Sequence, residues 1–326
     1  MQQDLAARLI DAHTMARLVA LTDIDPHLVL DDFTTPQALA ALADTEVIVS
    51  GWGCPPIDAT VLAAAPRLQV VVHAAGSVKH HITDACWERG IKVASAAWAN
   101  ALPVAEYTVA AVLVANKQLI RIRDDYRTRR AAYDWQSAYP DAGNYLRTVG
   151  VVGASCIGRR VLQLLRPHDL DLLLHDPYVH AAEAVRLGAR AVTLDELCAT
   201  CDVVTIHAPE LPDTRHLIDR RRLALMRDGS TLINTSRGSL VDQDALTGEL
   251  ASGRLNAIID VTLPEVLPAD SPLYDLPNIV LTPHVAGSLG GELHRLAAAA
   301  VDELALWTAG LPFAHPVTAE DVDRTA

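Results

Sequence analysis

No stretch of the chain reaches the roughly 18 consecutive apolar residues that a membrane span needs. Residues 1–20 carry Asp4, Arg8, Asp11 and Arg17 among their apolar positions, so a secretory signal is not expected either. Positive charge is short: 27 Lys and Arg against 40 Asp and Glu leave a net charge of −13, a field that repels nucleic-acid backbones and anionic lipid surfaces. Neither nucleic acid nor membrane is expected as a partner. Lysine is nearly absent, occurring only as Lys79, Lys92 and Lys117, and the bias toward arginine carries no functional reading. Cysteine numbers five, an odd count scattered over a long chain, which excludes a disulfide scaffold and makes the expected location cytoplasmic. Only Cys198 and Cys201 have CxxC spacing, and no second pair completes a zinc site; two small apolar side chains on a short helix explain them. His80 and His81 lie beside Asp84 without a recognised ligand spacing, so no metal is expected.

What is present is ordinary globular composition, 50% hydrophobic and 21% charged over 326 residues, enough for two domains with a core each. Short apolar runs alternate with helix-like stretches, the pattern of βα units and parallel sheets. The first hundred residues offer strands at Arg17–Leu21, Glu46–Ser50, Leu68–His73 and Lys92–Ala94. Leu102 to about Arg130 reads as one long helix, apolar in its first half and basic in its second, with Pro103 in its first turn. The arginines of 121–130 read as a solvated face. After a polar, aromatic loop at Tyr133–Asn144, strands recur near Thr148–Val152, Leu172–His175, Val203–His207, Thr231–Asn234, Ala257–Val261 and Ile279–Thr282. A final Ala-rich helix, about Gly290 to Ala309, returns to the first domain. The expected division is 1–101 with 298–326, and 102–297.

Thr148–Val152 runs into Gly153-Ala154-Ser155-Cys156-Ile157-Gly158 and then a helical pattern over 159–166. This is GxSxxG, one residue away from the dinucleotide fingerprint. Gly153 suits the tight turn, the free N–H groups of the helix start suit a pyrophosphate, and Gly158 suits close packing of helix on strand. Ser155 stands where glycine usually allows closest phosphate approach, with a hydroxyl able to donate to that phosphate. Asp176 ends the next strand 18 residues beyond Gly158, where an acid hydrogen-bonds an adenosine ribose; it reads equally as a turn residue before Pro177. An acid there repels a 2′-phosphate, and Pro177 and Tyr178 supply no arginine, so NAD is favoured over NADP.

Three further residues follow later strands: Arg237 in Asn234-Thr235-Ser236-Arg237-Gly238, Glu265 in Asp260-Val261-Thr262-Leu263-Pro264-Glu265, and His284 in Thr282-Pro283-His284. Loops after the strands of a doubly wound sheet gather at one edge. A guanidinium can hold an α-keto carboxylate, an imidazole can deliver a proton to its carbonyl, and a carboxylate can orient the imidazole. Taken singly, the three also read as an anion-binding surface Arg, a solvated Glu and a turn His.

In this order the residues resemble the D-isomer-specific 2-hydroxyacid dehydrogenase family. The similar runs include His73 to Val78, Asn100 with Val104 to Thr108, the glycine turn, His207-Ala208-Pro209 with Asp213-Thr214-Arg215, Asn234 to Gly238, Asp260 to Glu265, and Leu281 to Gly287. The resemblance implies two doubly wound parallel-sheet α/β domains, a flavodoxin-like substrate domain and a Rossmann-like NAD domain, around a cleft. It implies an NAD-dependent oxidoreductase acting on a 2-hydroxy or 2-keto acid, and a homodimer. Arg237, Glu265 and His284 become its catalytic residues. Its cofactor set takes in Gly153, Ser155, Cys156, Ile157 and Gly158 at the turn and Asp176 at the ribose. His207, Pro209 and Thr214 follow, with Thr235 and Ser236, Asp260 at the carboxamide, and Gly287. Backbone N–H groups of the loop at Ala75, Gly76 and Ser77 bind the substrate carboxylate in the family, and Trp52 and Trp98 fall on loops that wall the pocket or pack inside it. The chain departs from the family at Ser155, where Gly is common, at Thr262, near a common Phe, and at Val266, where Pro commonly follows the Glu. It ends soon after the last helix, so the regulatory domain of some phosphoglycerate dehydrogenases is not expected. Two rivals share the resemblance. Formate dehydrogenases pair the His with Gln, and NAD-sensing corepressors of the family bind peptides.

Overall fold

The computed structural model describes residues 1–322, which divide into two compact units: Met1–Ala101 with the chain from Ser288 onward, and Leu102–Gly287. The return crossing thus falls ten residues before the expected 297/298 boundary. The reason is burial: Leu293, Leu296 and Ala297, at the start of helix Leu293–Thr308, belong to the first unit's core.

In the first unit, β1 (Val47–Ser50), β2 (Val70–His73) and β3 (Lys92–Ser95) pair in parallel in that order, and the two-residue strand Pro316–Val317 adds to β3 antiparallel. Alternation along β2 sends Val70 and Val72 to the face covered by Leu293–Thr308 and Val71 to the opposite face with Ile57, Leu62 and Cys86. Because both faces are covered, the strand is apolar without a break. Residues 17–21, expected as a strand, are the end of helix Ala12–Leu21. Asp11 caps that helix by accepting from the Thr14 N–H at 2.7 Å, and Thr14 and Leu18 share one buried face, a four-residue repeat that overrides the apolar run.

The second unit is a seven-stranded, all-parallel sheet: β4 (Arg147–Val152), β5 (Leu170–His175), β6 (Arg190–Ala191), β7 (Val203–Ile206), β8 (Thr231–Asn234), β9 (Asn256–Ile259) and β10 (Ile279–Leu281), in the spatial order β10-β9-β8-β7-β4-β5-β6. The order reverses between β4 and β7, so the turn after β4 opens at the switch point of a Rossmann-type sheet. Val149, Val151, Leu172 and Leu174 pack on one face, and Val204, Ile206, Leu232 and Ile259 on the other. Cys198 and Cys201 lie in that second core, where burial pushes both thiols up to about 12. The two-residue strands β6 and Pro316–Val317 are too short to register as periodicity.

The expected helix 102–130 is two helices, Ala97–Asn116 and Leu119–Arg129, with Gln118 between them in left-handed backbone at φ 49°. The Asn116 carbonyl accepts the Gly143 N–H at 2.8 Å, and the second helix buries no residue, so nothing holds one continuous axis. Ala97–Asn116 also has the length and apolar composition of a membrane span, contrary to expectation, although Asn100 and Glu106 interrupt it. Ala105, Ala111 and Val112 spend that apolar surface in the second unit's core.

Polar groups inside the cores set two expectations. Glu303 is buried, and its carboxylate accepts the N–H groups of Ala314 and His315 at 2.9 and 3.1 Å, tying down the approach to Pro316–Val317. Glu303→Leu strands two donors and should cost about 2–4 kcal/mol, read as a lowered urea midpoint with faster amide exchange at Ala314 and His315. Burial also lowers His73 and His207 to about 3 and His81 to about 4 from 6.5. All three imidazoles bind protons more readily in the unfolded chain, so stability is full above pH 6.5 and drains as the pH falls toward 4. His207→Asn should flatten that slope by about 1.4 kcal/mol per pH unit; an unchanged slope in urea titrations at pH 4.5–6.5 would refute the assignment.

Candidate active site

At the switch point, Gly153 sits at φ 96°, where an added Cβ would meet the Ala208 nitrogen at 2.7 Å. At Gly158 it would meet the Gly153 carbonyl oxygen at 2.0 Å. Only glycine allows helix Cys156–Leu165 to start this close to β4. Ser155 is in extended backbone, φ −61° and ψ 178°, open to any residue, and its hydroxyl caps the helix by accepting the Gly158 N–H at 3.3 Å. The serine therefore stabilises the turn while its own O–H stays available to donate. The N–H groups of Ser155, Cys156 and Ile157 have no acceptor among the described residues, so the helix start is a donor set of the kind that binds phosphate.

Asp176, just past β5, is a turn residue, one of the two readings of the sequence. One carboxylate oxygen accepts the Ala154 N–H at 2.7 Å and the other accepts Tyr178 N–H at 2.8 Å, which ties the glycine turn to the turn before helix Ala181–Arg186 and leaves a lone pair on each oxygen. Arg159 is a guanidinium the sequence reading passed over. It donates to the Ala154 carbonyl at 2.8 Å and pairs with Glu183 at 2.7 Å, so its charge is already matched.

The loops after β8, β9 and β10 leave the same sheet edge, because Asn234 is in register with Ile259 and Ile259 with Leu281. The junction is organised by Asp260, which is buried. One of its oxygens accepts from the Thr282 hydroxyl at 2.6 Å and the Val285 N–H at 2.8 Å, and the other accepts from the Ala286 N–H at 2.9 Å. Its carbonyl accepts the His284 N–H at 2.8 Å. His284 is thereby held at φ 57°, left-handed backbone that a non-glycine residue adopts only under constraint. Its Nδ1 lies 2.5 Å from Glu265 Oε1, leaving Nε2 pointing away from the pair with no protein partner among the described residues. Glu265 is placed by Thr262, whose hydroxyl lies 2.8 Å from the Pro264 carbonyl and 3.0 Å from that of Glu265.

Arg237 is half-buried, and its one side-chain bond, 2.7 Å to the Ser236 carbonyl, leaves most of its donors free. It makes no bond to Glu265 or His284 among the described residues; Gly238 links the two loops instead, since a Cβ there would meet the Thr262 carbonyl carbon at 2.2 Å. The remaining expected cofactor residues divide by what their side chains already do. Ser236 donates to the Ile206 carbonyl at 2.7 Å and Thr214 to the Pro209 carbonyl at 2.7 Å, so both hydroxyls shape loops. Buried Thr235 meets Thr108 at 3.2 Å. His207 has its ring buried against Thr205 at 3.0 Å, so what it presents to the glycine turn is backbone at Gly153 and its Cβ at Gly158. Gly287 follows the Ala286 N–H that Asp260 holds. Tyr107, 3.2 Å from the Thr282 hydroxyl, extends the Asp260 network onto helix Ala97–Asn116. Tyr107 and Thr282 stand inside runs singled out in the sequence, but nothing in their spacing marks them as partners.

In the first unit, the Ser95 hydroxyl donates to the Gly76 carbonyl at 2.7 Å and fixes the loop after β2. The N–H groups of Ala75, Gly76 and Ser77 find no acceptor among the described residues. Trp52 is exposed after β1, while Trp98 stacks on His315 with ring centroids 4.7 Å apart. Trp98 is therefore a packing residue.

Residues 109–286 match the family model described as D-isomer specific 2-hydroxyacid dehydrogenase, NAD binding domain. The chain is 34% identical over 256 residues to D-3-phosphoglycerate dehydrogenase of Mycobacterium tuberculosis, covering 78% of this chain and 48% of that one. It thus spans about half the length of that relative. Over 309 residues it is 32% identical to glyoxylate/hydroxypyruvate reductase B of Pectobacterium carotovorum, covering 92% and 90%. Among solved structures it is similar to the D-lactate dehydrogenase of Aquifex aeolicus complexed with NAD and lactic acid, at 28% identity and a TM-score of 0.66, covering 85% and 86%. With the glycine turn and the loops beyond β8 to β10 in the arrangement just described, the chain belongs to the D-isomer-specific 2-hydroxyacid dehydrogenase family.

Proposed function

We propose that the protein is an NAD-dependent D-2-hydroxyacid dehydrogenase, interconverting a 2-keto acid and a D-2-hydroxy acid. The observation that carries this reading is the 2.5 Å contact of His284 Nδ1 with Glu265, which leaves Nε2 free for a substrate oxygen. The glycine turn fits the dinucleotide: close packing only glycine permits, unspent N–H donors at a helix start, and an acid at the end of the next strand. When bound there, the dinucleotide supplies the hydride. His284 holds the proton given to the keto oxygen in reduction and takes it back in oxidation. Glu265 fixes the imidazole tautomer. Arg237, with its free donors, is suited to bind the substrate carboxylate bidentately. In the first unit, the unspent N–H groups of Ala75, Gly76 and Ser77 are by themselves a donor set suited to a carboxylate. Of the Asp260 oxygens, the one that accepts only the Ala286 N–H would be the acceptor for a carboxamide. Asp176, with the Arg159 charge already matched by Glu183, supports NAD over NADP.

The test is NADH oxidation with glyoxylate, hydroxypyruvate and phenylpyruvate, with 3-phosphoglycerate and formate assayed in the oxidative direction. Turnover with at least one 2-keto acid and none with formate is expected. NADH binding without turnover on any of them would favour a sensor role instead. His284→Ala should lower kcat about 10²–10⁴-fold, and near-normal turnover in that variant would sink the assignment. KM for NADPH should exceed that for NADH at least about 10-fold, since an acid beside a 2′-phosphate costs upward of about 1.4 kcal/mol; equal values would remove Asp176 from cofactor choice.

A further inference from the structure

The carboxyl end of the first unit's sheet carries a polar rung. Ser50, His73 and Ser95 are in register across β1, β2 and β3, and all three are buried. Alternation from Val71 and Val93 sets them on the face that holds Ile57, Leu62 and Cys86. The loop 74–80 leaves β2 at this rung and comes back to it at His81. His73 Nδ1 lies 2.9 Å from the Ser50 hydroxyl and His81 Nε2 3.4 Å from the same oxygen, with the two ring centroids 4.4 Å apart. Burial lowers the two imidazoles to about 3 and 4, so uncharged groups pin both ends of the loop.

Between those ends the loop is held by one hydroxyl. Ser95 Oγ accepts the Ala97 N–H at 3.0 Å, which leaves its proton for the loop, and it lies 2.7 Å from the Gly76 carbonyl oxygen and 3.4 Å from that of Ala75. Two successive carbonyls thus turn to one buried point, where an extended chain sends them to opposite sides. In a trans peptide the N–H lies opposite the C=O of the same unit, and neither peptide here is cis. The Ser77 N–H therefore points away from Ser95, and the Gly76 N–H goes with it. Successive N–H groups turned to one side form an anion-binding concavity, and neither of these has an acceptor among the described residues. An added Cβ at Gly76 would meet nothing closer than Asn100 Nδ2 at 3.8 Å, so close packing against glycine does not set the loop. The hydroxyl does.

We infer that Ser95 is a positioning residue for substrate: by drawing the carbonyls of Ala75 and Gly76 toward the sheet, its hydroxyl aims the N–H groups of Gly76 and Ser77 at the carboxylate that every 2-keto acid shares. The inference rests on the proposed reading of this loop as a carboxylate donor set. It ties Ser95 to the part of the substrate that does not vary and does not react, so the contribution is the same in ground state and transition state and enters KM, not kcat.

The test is steady-state kinetics of Ser95→Ala and Ser95→Thr with glyoxylate, hydroxypyruvate and phenylpyruvate, beside a titration of the NADH-bound protein with oxamate followed by amide NMR. Ser95→Ala should raise KM about 10-fold, by the same factor for all three acids, with kcat and KM for NADH changed less than about 2-fold. Ser95→Thr keeps the hydroxyl and should restore KM. Oxamate should shift the Gly76 and Ser77 amide resonances, and bind Ser95→Ala about 10-fold more weakly. An unchanged KM in Ser95→Ala, a factor that differs among the three acids, or the absence of oxamate shifts at Gly76 and Ser77 overturns the inference. If the unsubstituted protein turns over no keto acid, the proposed reaction fails; oxamate shifts at these two amides that weaken in Ser95→Ala uphold the role of Ser95 all the same.

Discussion

The buried carboxylate of Asp260 is the constraint from which the site is built. It receives a hydroxyl and two main-chain N–H groups from residues 282–286, and its own carbonyl receives a third N–H, from His284. A buried carboxylate needs such donors to be tolerated at all, so the loop after β10 folds around it. That loop carries His284, whose Nδ1 is engaged by Glu265 and whose Nε2 has no partner among the described residues. Without the Asp260 carboxylate its three donors, the Thr282 hydroxyl and the N–H groups of Val285 and Ala286, would be stranded on either side of His284.

The glycine turn shows the same economy at the other end of the sheet edge. Gly153 and Gly158 bring helix and strand within contact, and Asp176 then bonds the turn from the next strand. The turn and the acid are one hydrogen-bonded unit. Ser155 departs from the family pattern at a position whose backbone makes no demand for glycine, and it returns a helix cap.

Much of this was legible because it is written in local patterns. β7 is an unbroken β-branched run, β4 and β8 are mostly β-branched or apolar, and the glycine turn and the residues after β8 to β10 stand at fixed offsets from them. What was not legible depends on partners distant in sequence. Thr262 reads as a departure until its hydroxyl is seen pinning the Glu265 loop. His207 sits in a motif run, yet its ring is buried and backbone faces the turn. Residues 17–21 carry an apolar run with no strand neighbour to receive it, and a cap at Asp11 settles them as helix. The 102–130 helix breaks because Gly143 takes the Asn116 carbonyl, a bond no periodicity foretells.

The left-handed backbone of His284 has a consequence for how the protein can diversify. Its unfavourable conformation is sustained within the second unit by the bond of its N–H to the Asp260 carbonyl and by the bonds of the Asp260 carboxylate to the residues beside it, so the ordering cost of placing the imidazole is met during folding and not at each encounter with a ligand. The placement of the His284 imidazole is therefore insulated from changes at residues outside that bonded loop. Such residues are free to drift toward new side chains while the imidazole stays put. A family holding many substrates on one constellation is what such decoupling permits.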